Sequence, residues 1–74
     1  MKRSNNIVSV RFTTTINLCE GKERFTAIDT RRKEYQAWTI TSNNYFVELY
    51  NTRLNRYFKI PLHMVESIEF EATE

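Results

Sequence analysis

From residue 7 to residue 19, apolar and polar positions alternate with a period of two. Val8, Val10, Phe12, Ile16 and Leu18 share one face, and Ser9, Arg11, Thr13, Thr15 and Asn17 the other. This is the pattern of a half-buried strand. The run is long for one strand, so it predicts a bend around Thr13 to Thr15. A second alternation, Ser67-Ile68-Glu69-Phe70-Glu71, predicts a final strand with Ile68 and Phe70 inward, pairing with Val8, Val10 and Phe12. Such pairing would cover the free sheet edges and close a small barrel.

Between these runs, residues 24–60 read as four short strands joined by three turns. Asn tolerates positive φ, so Asn43-Asn44 suggests a two-residue hairpin pairing Ile40 with Val47 and Trp38 with Leu49. A four-residue turn at Thr52-Arg53-Leu54-Asn55 pairs Asn51 with Arg56, Leu49 with Phe58 and Val47 with Ile60. It also sets Glu48 against Lys59 and Tyr50 against Tyr57. A four-residue loop at Arg31-Arg32-Lys33-Glu34 pairs Ala27 with Trp38 and Phe25 with Ile40. Gly21-Lys22 makes a further turn, pairing Leu18 with Phe25 and Ile16 with Ala27. The predicted inner face is Phe25, Ala27, Trp38, Ile40, Val47, Leu49, Phe58 and Ile60. A slip of one residue would mix the faces. Pro61 lacks an amide hydrogen and ends its strand. Leu62-His63-Met64-Val65 then makes one helical or 3₁₀ turn.

The length of 74 residues sets one domain, read as a flexible basic arm over residues 1–6 and a β-barrel over residues 7–74. Aromatic residues at 14% and a single glycine favour a packed all-β fold over disorder. No apolar run is long enough to span a membrane, and the lone Cys19 cannot form an internal disulfide. A cytoplasmic location follows as the default.

The segment Tyr57-Phe58-Lys59-Ile60-Pro61-Leu62-His63-Met64-Val65-Glu66-Ser67-Ile68-Glu69-Phe70, read as strand, short turn and last strand, resembles the C-terminal end of SH3-like and Sm-like small barrels. The glycine-containing last turn of Sm proteins and their N-terminal amphipathic helix have no counterpart here. The resemblance implies an all-β antiparallel meander of five to six strands closing into an SH3-like barrel. It also implies a class used to bind peptides, nucleic acid or sister subunits.

Catalytic chemistry finds little support. His63 is the only histidine and stands without a second ligand at metal spacing. Cys19 has no histidine near it, and no glycine-rich phosphate loop exists. The sequence therefore reads as non-enzymatic, with no cofactor and no metal. Two surface features remain. In an up-and-down meander alternate loops share an end, so Arg31, Arg32, Lys33, Arg53 and Arg56 converge with Lys2 and Arg3 of the arm. That cluster would suit an anion or a nucleic acid, although the net charge is only +2. The second feature is an outer row of Thr15, Ile28, Ala37, Tyr50 and Tyr57, more apolar than a solvated face requires. Ile28, Ala37, Tyr50 and Tyr57 are its candidate protein-partner residues.

The leading reading is a protein-binding module, a small regulatory or accessory factor of the kind carried by phages and mobile elements, acting on a larger complex. The alternative is a nucleic-acid-binding barrel that uses the basic loops, with Tyr35, Tyr50 and Tyr57 stacking on bases. A homo-oligomer built through sheet edges is a third.

Overall fold

A computed structural model describes residues 2–18 and 23–73, and the side chains of residues 6–18 and 24–72. The chain is all-β. Six strands run β1 (Lys2–Leu18), β2 (Glu23–Asp29), β3 (Trp38–Ser42), β4 (Phe46–Asn51), β5 (Arg56–Pro61) and β6 (Val65–Thr73). They form two antiparallel three-stranded sheets, ordered β2-β1-β6 and β3-β4-β5. Short 3₁₀ turns lie at Lys33–Tyr35 and Leu62–Met64, the second in the position expected after Pro61.

Closure into one barrel is not found among the described residues. The expected pairing of β2 with β3 is missing, because the intervening chain is not a hairpin loop. Asp29 C=O accepts from Arg32 N–H at 3.0 Å, a 3₁₀ turn follows, and β3 begins only at Trp38. The connection is then long enough to carry the chain from one sheet to the other. The last strand does pair with the first, with Val10 opposite Ile68, Ile7 opposite Phe70 and Phe12 opposite Val65. Residues 2–6, expected as an arm, are the first part of β1, where Lys2 faces Thr73 and Arg3 faces Ala72.

The β4–β5 register is the expected one in every pair, from Asn51 opposite Arg56 to Val47 opposite Ile60. Its turn is built by Asn51, whose side-chain oxygen accepts from the N–H of Arg53 and of Leu54, both at 3.0 Å. Asn55 supplies the positive φ of 54° that such a turn needs. The β3–β4 register differs by two residues: Ile40 stands opposite Leu49 and Trp38 opposite Asn51. Here the Asn43 side chain accepts from the N–H of Tyr45 and Phe46 at 2.8 and 3.0 Å, a wider turn than the two-residue hairpin. A shift of two preserves which face each side chain takes.

The β1–β2 pair departs further. Ile16 faces Phe25, but past an irregularity between Arg11 and Ile16 it is Val10 that faces Ile28. This is the predicted bend, and it reverses the face of β2 beyond Phe25. The Gly21-Lys22 turn and Cys19 lie outside the described residues.

The core fills the space between the sheets. Val10 and Ile28 from the first, and Val47 and Leu49 from the second, are at most 1% exposed. An aromatic chain crosses the interior: Phe25 meets Trp38 edge-on with centroids 5.7 Å apart, and Trp38 meets Phe58 at 5.8 Å. Such geometry adds favourable quadrupole contacts to the buried area. No helix among the described residues is long and apolar enough to cross a membrane.

Candidate functional site

Strand alternation in the second sheet buries Val47 and Leu49 and turns Phe46, Glu48 and Tyr50 of β4 outward. Tyr57, Lys59 and Pro61 of β5 and Thr39 and Thr41 of β3 share that outer face and are exposed. Tyr50 lies opposite Tyr57 with ring centroids 4.5 Å apart and planes at 33°. The Tyr50 hydroxyl donates to the Asn55 side-chain oxygen at 2.7 Å, which fixes the ring over its own hairpin. Lys59 places its ammonium 5.0 Å from the centre of the Phe46 ring, a cation–π contact. Tyr45 and Tyr57 are 78% and 63% exposed, and Leu54 at the hairpin tip is also exposed. The result is a solvent-open aromatic face with one ring pair held in place.

Only part of the predicted row belongs to it. Tyr50 and Tyr57 do. Ile28 does not: the β1 irregularity turns it inward, to 0% exposure. Ala37 is half-buried between two loops, its C=O accepting from the N–H and hydroxyl of Thr52 at 2.8 and 3.3 Å. Thr15 is exposed on β1, in the other sheet. Phe46 and Lys59 complete the face. The alternation that selects Tyr50 also selects Phe46 four positions earlier.

The Ala37–Thr52 bonds bring the loops of residues 30–37 and 52–55 to one end, as the topology predicts. Two of their arginines are held by carboxylates. Arg31 is paired with Asp29 at 2.9 Å and with Glu69 at 2.9 Å, and Arg32 with Glu34 at 2.8 Å. Asp29 is held below the ordinary carboxylate range, chiefly by the hydrogen bond from the Arg31 side chain. The Arg31 guanidinium is correspondingly harder to deprotonate, through Asp29 first and Glu69 second. Lys33, Arg53 and Arg56 are exposed. Tyr35, considered for base stacking, is half-buried against Phe25 at 6.0 Å and belongs to the rim of the core. His63 is exposed in its 3₁₀ turn, and no group of three His, Cys, Asp or Glu among the described residues could hold a metal ion.

Protein-family models, curated proteins and solved structures contain no match to this chain.

Proposed function

We propose that this chain is a non-enzymatic protein-binding module, a small cytoplasmic regulatory or accessory factor, that docks a partner on the outer face of β3-β4-β5. The observation that carries this reading is the exposed Tyr57 ring packed on the anchored Tyr50, with Phe46 and Lys59 farther along the same outer face. Tyrosines present large contact area at low entropic cost, and fully burying such a side chain contributes on the order of 2 kcal/mol. Lys59 and the hairpin-tip Arg53 border the rings, so the face suits a protein patch with an apolar centre and carboxylates at its rim. The 3₁₀ turn between β5 and β6 and the β1–β6 pairing fit kinship with SH3-like barrels, opened here between β2 and β3.

A salt-graded pull-down with and without nuclease tests the reading. Capture of a protein that survives both treatments and is lost in Y50A/Y57A supports it. Capture unchanged by that double substitution overturns it. The second reading, a stacking platform for single-stranded nucleic acid, draws on the same rings beside Arg53 and Lys59. It predicts binding that fades steeply with salt. The pairing of Arg31 and Arg32 with carboxylates leaves fewer cations for phosphate and favours the protein reading.

A further inference from the structure

Glu48 stands in the middle of the tyrosine face. It lies between Phe46 and Tyr50 on the outer side of β4, about 7 Å along the strand from each. Across the ladder it is opposite Thr41 of β3 and Lys59 of β5. The residue is half-buried. Lys59 is the cation that the ladder sets beside it, yet the Lys59 ammonium lies over the Phe46 ring, diagonally away from the tyrosine pair. Among the described residues no hydrogen bond or ion pair holds the Glu48 carboxylate, and its oxygens reach solvent.

The surroundings of that carboxylate select a ligand. On its β3 side the neighbours on this face are Thr39 and Thr41, short and exposed, so the approach is open. Beyond it stand the Tyr50 ring, fixed by its hydroxyl bond to Asn55, and the Tyr57 ring at 4.5 Å. Ring faces and a carboxylate both attract positive charge. A guanidinium satisfies the two together: its plane stacks on an aromatic ring and its fork gives parallel N–H bonds to a carboxylate. An ammonium has no plane to stack. A phosphate would meet the carboxylate as a like charge.

We propose that Glu48 and the Tyr50–Tyr57 pair receive an arginine side chain of the protein partner. The proposal rests on the reading of this face as a protein-docking surface and names one element of the partner's chemistry. The guanidinium lies against the tyrosine rings and donates to the Glu48 oxygens, and its aliphatic stem packs within the apolar centre of the contact. Lys59 stays on Phe46, on the far side of Glu48, and opposes the incoming charge only weakly.

The test is a magnetic-resonance titration of the isotope-labelled chain with acetyl-glycyl-arginyl-glycinamide. The expected result is saturable shifts centred on Glu48, Tyr50 and Tyr57, with affinity at least about fivefold lower in E48Q. The citrulline peptide, which keeps the planar group and loses the charge, should bind the wild-type chain at least about fivefold more weakly. Lys59→Met removes a like charge and should tighten arginine binding, a gain that a folding defect could not produce. An arginine peptide that shifts nothing on β3-β4-β5, or binds E48Q equally well, overturns the proposal. In the pull-down, capture that Y50A/Y57A abolishes and E48Q leaves unchanged overturns the arginine assignment and leaves the docking reading intact. Glu48-dependent peptide binding in a chain whose capture survives Y50A/Y57A supports the arginine site and overturns the docking reading alone.

Discussion

Arg31 donates to both carboxylate oxygens of Glu69, at 2.9 and 3.1 Å, although 38 positions separate them. The same guanidinium grips both oxygens of Asp29. Asp29 and Glu69 each stand opposite Ser9 in the ladder, so Arg31 spans the middle strand and ties β2 to β6. An arginine that looks in sequence like an anion ligand is a brace for the first sheet.

That brace makes acid stability sign-definite. The folded-state pKa of Asp29 is depressed, so its contribution is present above the unfolded-state value, near 3.8, and is lost as pH falls through the lower folded value. Thermal melts should show a midpoint that declines below about pH 4. In D29N that component of the decline should be absent, although the variant melts lower at neutral pH.

If oligonucleotides bind at all, R53A/K59A should weaken binding and reduce its salt slope more than R31A/R32A does. The first pair borders the exposed rings, and the second is already committed to carboxylates. Fluorescence anisotropy at several salt concentrations checks this ordering.

Ile28→Ala should cost about 2–5 kcal/mol in chemical denaturation, the range for truncating a fully buried aliphatic side chain. Tyr57→Ala should cost under about 1 kcal/mol, because it removes only an exposed ring pair. Equal and small effects would place Ile28 on the surface.

Asn51→Ala should destabilise the fold by about 1–3 kcal/mol. The side chain is 7% exposed, and its oxygen satisfies two amides of the β4–β5 turn. Urea unfolding measures the loss, and Asn51→Asp, which keeps an acceptor oxygen, should recover part of it.

Alternation alone made the strands, the bend near Thr13 to Thr15, most of the core and the whole β4–β5 register legible. A period of two assigns faces locally, wherever one face must be buried. The outward Tyr50 and Tyr57 were legible for the same reason. The β3–β4 register was not, because a shift of two leaves every face unchanged and depends on the Asn43 side chain choosing the wider turn. Ile28 was misread because a strand irregularity changes parity without altering composition.

By itself, then, the sequence determined an all-β chain, the face of most strand residues and one complete hairpin, since all of these follow from neighbours a few positions apart. Tertiary structure alone decided that the strands divide into two sheets, that Ile28 turns inward and that Arg31 and Arg32 are occupied. Those outcomes depend on the path of a connecting loop, a break in register and a carboxylate far along the chain. Period-two alternation carries no information about any of the three.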